Sequence, residues 1–147
     1  MGSSVPTDAV SAFCAAARIN DVDGMIGTLA PDAELVSPLS GRMVFGGHDD
    51  LRVLLNAAFG SLRGLHWQHF VGDGPTRVAV SEARIAHVRV TDAMVVELDE
   101  AGRIRRIRPH LRPWLALTVL ALRLGVKLGR HPGVVRRALQ RHQPEAS

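Results

Sequence analysis

Val88-Arg89-Val90-Thr91-Asp92-Ala93-Met94-Val95-Val96-Glu97-Leu98 alternates in character along its whole length. Successive strand residues point to opposite faces, so Val88, Val90, Asp92, Met94, Val96 and Leu98 share one face. Arg89, Thr91, Ala93, Val95 and Glu97 share the other. The first set is apolar apart from one carboxylate. Alternation of this length predicts a half-buried strand of an antiparallel sheet. The same period continues on both sides, where turns at Gly72-Asp73-Gly74-Pro75, Ala86-His87 and Asp99-Glu100-Ala101-Gly102 separate strands expected over 65–71, 77–86 and 104–111.

Ahead of the strands the period is helical. Val10, Phe13, Cys14, Ala17 and Met25 predict a helix to about Ile19, capped by Thr7 or Asp8, and a short helix over 22–29. Ala30-Pro31-Asp32 reads as a turn into a short strand closed by Pro38. A third helix, capped by Asp49 or Asp50, would bury Leu51, Val53, Leu54, Ala57, Ala58 and Leu62. Helices first and a strand meander afterwards make an α+β domain, expected over 1–112. Beyond Pro113 helical character returns. Trp114 to Leu122 carries no charge but is too short to cross a bilayer, which takes about 20 apolar residues. The segment 113–147 is therefore a basic helical extension, either packed on the domain or a partner or lying as an interfacial anchor at the periphery of a membrane.

With 147 residues, 46% of them apolar, the chain can bury a core without disulfide or metal. Cys14 is the single cysteine, which excludes an internal disulfide and a cysteine zinc site and favours a reducing, cytoplasmic setting. Met1 to Asp8 has neither a basic start nor an apolar run, so no secretory segment is expected. The net charge of +4 is unevenly spread: residues 1–100 carry 7 basic and 13 acidic side chains, residues 101–147 carry 11 and 1. The second group is interleaved with Leu, Val and Ile. Aromatic residues are 4% of the chain, too few for a base-stacking platform, and nucleic acid is not an expected partner.

Ile19-Asn20-Asp21-Val22-Asp23, Leu29-Ala30-Pro31-Asp32-Ala33-Glu34-Leu35, Phe45-Gly46-Gly47-His48 and Leu98-Asp99-Glu100-Ala101-Gly102-Arg103-Ile104 occur in the order in which similar phrases occur in the NTF2-like superfamily. Over residues 8 to about 112 the chain resembles its SnoaL-like and ketosteroid-isomerase-like branch. The resemblance implies a curved antiparallel sheet wrapped on three N-terminal helices, a cone open to a small apolar molecule, and a homodimer paired through the sheet. It implies no cofactor. The ketosteroid-isomerase set of a carboxylate base, a Tyr and a protonated Asp is not reproduced. Ser37 falls where the base belongs, Phe13 where the Tyr belongs, and Thr91 or Asp92 near the acid; the chain has no Tyr at all.

The chemistry is therefore expected around Asp92. A carboxylate on an apolar face has its pKa raised unless a donor meets it, which suits a general acid or base. His69 and Arg84 are the assisting candidates, Arg84 or Glu82 pairing with Asp92 if either points inward. Phe13, Ser37, Trp67, Val90, Met94 and Leu111 are the expected ligand wall. His66 and His69 lie three apart on a strand and cannot readily share a metal ion, so no metal site is expected. These features suit a cofactor-independent enzyme of isomerase, cyclase or hydrolase type acting on an apolar carbonyl- or epoxide-bearing metabolite. A non-catalytic binder, or an interaction module built on the basic extension, is the alternative.

Overall fold

The computed structural model describes residues 8–39 and 42–141. Helix α1 (Ala9–Arg18) starts at Asp8, whose carboxylate accepts from the Ser11 N–H at 2.8 Å, and α2 (Val22–Ile26) starts at Asp21 in the same way. Strand β1 (Leu29–Val36) pairs with β2 (Val44–Gly46), and α3 (His48–Phe59) follows. Then come β3 (Arg63–Val71), β4 (Thr76–Ile85), β5 (Val88–Leu98), β6 (Ile104–Arg108) and β7 (Leu111–Arg112). Two helices, α4 (Trp114–Leu128) and α5 (Pro132–Gln140), end the described chain. The sheet order is β2-β1-β6-β5-β4-β3, with β7 beside β5 and the β1–β6 pair parallel. The α+β class and the three N-terminal helices are as expected.

Four local expectations are corrected. Ala30-Pro31-Asp32 is inside β1, because the pairing with β6 shifts register between Leu29 and Glu34 and leaves Pro31 without a ladder bond to donate. The second helix accordingly stops at Ile26. Neither Asp49 nor Asp50 caps α3: Gly47, at φ 81, holds that place. The last strand is divided at Pro109-His110, although its register against β5 runs through, from Val95 opposite Arg108 to Asp92 opposite Leu111. Proline has no N–H for the ladder, and the interruption matters for the site.

One core joins all layers. Phe13, Met25, Leu51, Leu55, Ile85, Met94, Ile104 and Ile107 are fully buried. Each such side chain contributes about 1.5–3 kcal/mol of transfer free energy. Helix α4 adds Ala116, Leu120, Leu124 and Leu128, one residue per turn along a single stripe, and α5 adds Val134 and Ala138. Two polar attachments hold these helices down. Lys127 Nζ donates to the Ala57 carbonyl at 3.3 Å and to Ser61 Oγ at 2.9 Å, at the end of α3. Arg137 donates from Nε and Nη2 to the two oxygens of buried Asp50, both at 2.8 Å. No helix among the described residues is long and apolar enough to cross a membrane.

Candidate active site

Between the helices and the concave face of the sheet lies a cavity of about 90 Å³. Phe13 and Phe59, in edge-to-face contact at 6.1 Å, wall one side; Val90, Met94, Ile107 and Leu111 wall the other. Leu120 and Leu124 of α4 close it. Among the described lining residues only Ser81 and Asp92 carry polar side chains.

These two are neighbours because of the β4–β5 turn. Ala86 and His87 both have positive φ, 46° and 72°, so the hairpin loop is two residues long and Ile85 stands opposite Val88. Counting back through an unbroken ladder sets Ser81 opposite Asp92. Opposed residues share a face, with Cα atoms about 4.5–5.5 Å apart. Ser81 is 4% exposed and makes no side-chain hydrogen bond to any described residue, so its hydroxyl is free to meet a ligand.

Burial is the main influence on Asp92 and pushes its pKa up to about 7; a hydrogen bond from the His110 backbone and the nearby His110 ring oppose that shift. The backbone bond arises from the interruption at Pro109. The Ala93 N–H still donates to the His110 carbonyl at 3.0 Å, but the returning His110 N–H turns aside to Asp92 Oδ1 at 3.1 Å. His110 Nδ1 takes over the abandoned Ala93 carbonyl at 3.1 Å. A carbonyl can only accept, so Nδ1 carries the proton. One neutral donor is too little to hold a carboxylate charged in an apolar wall, whereas an arginine would have done so. At neutral pH Asp92 therefore exists in both forms and can give or take a proton.

Other expected site residues lie elsewhere. Arg84 is exposed on the outer face, and Glu82 is beside it, paired with Arg89 at 3.2 Å; neither meets Asp92. The hairpin parity that turns Ser81 inward turns both outward. His69 is exposed as well. The β3–β4 register shifts between Trp67 and His69, a bulge that returns the two side chains to opposite faces. Trp67 stays on the inner side yet does not line the cavity; its indole Nε1 donates to the Cys14 carbonyl at 2.9 Å and fixes β3 to α1. Ser37 lines an adjoining groove, where its Oγ accepts from the Leu39 N–H at 3.1 Å. Phe13, Val90, Met94 and Leu111 do wall the cavity with Asp92. His48 is tied to the Ala30 carbonyl at 3.0 Å, and burial pushes the Cys14 thiol up to about 12, which makes it unreactive. Among the described residues no His, Cys, Asp or Glu cluster could hold a metal ion.

Sequence reasoning missed Ser81, Leu120 and Leu124. The first was within reach, since a two-residue turn at Ala86-His87 fixes its partner by counting.

Solved structures share this architecture. An uncharacterized bacterial protein with a cystatin-like fold from Silicibacter pomeroyi superposes with a TM-score of 0.82 at 15% identity, over 93% of this chain and 96% of its own. A steroid delta-isomerase from Pseudomonas aeruginosa gives 0.76 at 20% identity, over 85% and 92%. The epoxide hydrolase/cyclase-like enzyme SalBIII, of pyran ring formation in the polyether salinomycin, gives 0.60 at 19% identity, over 71% and 88%. The fold is NTF2-like, and enzymes of isomerase and of cyclase type are built on it. No family model and no curated protein matches the sequence.

Proposed function

We propose that the chain is a cofactor-independent acid–base enzyme acting on a small apolar metabolite that bears a carbonyl or an epoxide. The observation that carries this reading is a single titratable side chain, Asp92, poised near neutrality in the wall of an otherwise apolar cavity. That a steroid delta-isomerase and an epoxide hydrolase/cyclase-like enzyme share the fold supports the class.

For a carbonyl substrate, ionised Asp92 removes a proton from the carbon next to the carbonyl, the C–H electron pair moves into the enolate, and the negative charge collects on oxygen. The Ser81 hydroxyl donates to that oxygen. Protonated Asp92 then returns the proton. In a simple ketone it goes to the same carbon, which gives α-hydrogen exchange. Where a β,γ double bond extends the enolate to a dienolate it goes to the γ-carbon, so that the double bond moves into conjugation without net redox change. Apolar walls lower the local dielectric and strengthen both interactions. A positioned acid–base group contributes about 10²–10⁴-fold in rate.

The test needs no knowledge of the natural substrate. Small ketones incubated with the protein in D₂O are expected to exchange their α-hydrogens, followed by proton NMR, and Asp92→Asn is expected to lose that exchange while keeping its circular dichroism spectrum. Exchange unchanged in Asp92→Asn overturns the assignment. Ketone affinity without exchange by either protein leaves the alternative, a non-catalytic binder.

A further inference from the structure

A cavity of about 90 Å³ is small for a metabolite site, since typical ligand pockets run to roughly 300–1,000 Å³. It is not isolated. Leu35, Pro38, Leu54 and Leu124 line it and also line a groove of about 710 Å³ between α4, α5 and the segment from β1 to β2. The groove is apolar through most of its length: Met43, Phe45, Leu128 and Val135 form its walls, while Arg136 and Gln140 are exposed on its α5 side. Its outer wall is firmly placed, because the Asp50–Arg137 pair and the Lys127 contacts attach α5 and α4 to α3.

We propose that cavity and groove form one site for an unbranched aliphatic chain with a carbonyl-bearing head: the head lies at Asp92 and Ser81, and the chain passes Leu54 and Leu124 into the groove. The placement of the head rests on the acid–base reading of Asp92; the placement of the chain rests on the adjacency of the two voids, which share four lining residues. A cavity of this size admits only a few heavy atoms beside Asp92, so the part of the ligand that enters it is narrow. Apart from Ser37, Arg136 and Gln140 the groove walls offer burial without directional polar contact, which is how methylene groups are recognised.

The experiment is a titration of the full chain with straight-chain 2-ketones of roughly four to fourteen carbons, where burial of each added methylene is worth about a fourfold gain in affinity. Affinity is expected to climb at about that rate well beyond the length that fills the cavity. Gly125 is on the groove wall, and a Cβ added there meets nothing within 4 Å, so the backbone leaves room to start a side chain and Gly125→Trp adds bulk at the groove wall. That variant is expected to cancel the gain for the long ketones. Gly125→Ala is expected to keep the gain, and thermal unfolding confirms that both variants fold. An affinity that levels off after the shortest ketones, or a slope unchanged in Gly125→Trp, overturns the proposal. A level slope together with a change of sedimentation in Gly125→Trp also overturns it and assigns the groove to a second copy of the chain. The two readings fail separately. A level slope with α-hydrogen exchange intact removes the groove alone, and a climbing slope without exchange removes the acid–base role of Asp92 alone.

Discussion

Asp50, buried, and Asp92, half-buried in the cavity wall, are both carboxylates, and the protein treats them in opposite ways. Asp50 on α3 receives two donors from Arg137 and lies 3.7 Å from Arg141, and the Arg137 hydrogen bonds hold its carboxyl below the usual range against the opposing effect of burial. Asp92 on β5 receives one backbone N–H, and burial prevails. The number and charge of the donors decide whether a buried carboxylate is a fastening or a reagent. One fastens the C-terminal helices to the domain; the other faces the space those helices enclose.

The contrast can be broken most sharply through pH. Asp92 ordinarily titrates at 3.8 and in the folded protein at about 7, so the native state binds more protons than the unfolded state between those values. Stability falls as pH rises through that window, and above it the folded protein carries a penalty of up to about 4 kcal/mol. Asp92→Asn removes the penalty and can still accept from the His110 N–H. Urea unfolding at pH 8 should therefore show the variant more stable than the wild type by a few kcal/mol, with the difference vanishing near pH 4. A variant no more stable at pH 8 would mean that water or an unrecognised cation solvates Asp92.

Asp50 predicts the reverse dependence. Its folded pKa is depressed, so its contribution is present above the ordinary value of 3.8 and disappears as pH falls through the lower folded value. Asp50→Ala leaves Arg137 and Arg141 facing a buried site, but their side chains are 48% and 42% exposed and can turn to solvent. The cost is correspondingly about 1–2 kcal/mol, below that of breaking a fully enclosed pair. Urea unfolding at pH 7 measures the loss, and hydrogen exchange should find α5 deprotected before the sheet. Equal deprotection throughout would deny Asp50 its fastening role.

These two carboxylates also separate what the sequence discloses from what it hides. Asp92 is legible because alternation is local: eleven residues suffice to place it on an apolar face, and the two-residue turn beside it extends the same parity to Ser81. Asp50 looks like a helix cap from its neighbours, and its real partner is 87 residues away on a helix whose docking no local pattern reports. The share of α4 in the cavity is hidden for the same reason, since an apolar stripe does not say what it covers. Bulges defeat parity reasoning outright. One extra residue between Trp67 and His69 sends the histidine outward, and nothing in His66-Trp67-Gln68-His69 announces it.

Ser81→Ala deletes one hydroxyl from the cavity wall. Removing a single neutral donor to a developing oxyanion should lower the exchange rate about 10- to 100-fold, with little change in stability because the hydroxyl has no described partner to lose. Exchange kinetics across ketone concentration separate a fall in kcat, which is expected, from a rise in KM alone, which would make Ser81 a binding contact only.

The smallest effect belongs to the two residues that the sequence offered as assistants to Asp92. His69 and Arg84 stand on the outer face of the sheet, separated from the cavity by the backbone of β3 and β4. His69→Ala and Arg84→Ala should each change the exchange rate less than about twofold and stability within about 0.5 kcal/mol, the ordinary range for exposed substitutions. The pH profile sharpens the test, because a histidine taking part in proton transfer would leave its own inflection in the rate. If the inflection near 7 survives in His69→Ala while Asp92→Asn loses the exchange itself, the titrating group is the carboxylate. An inflection lost with His69 would instead require the β3 bulge to relax in solution and return that ring to the inner face.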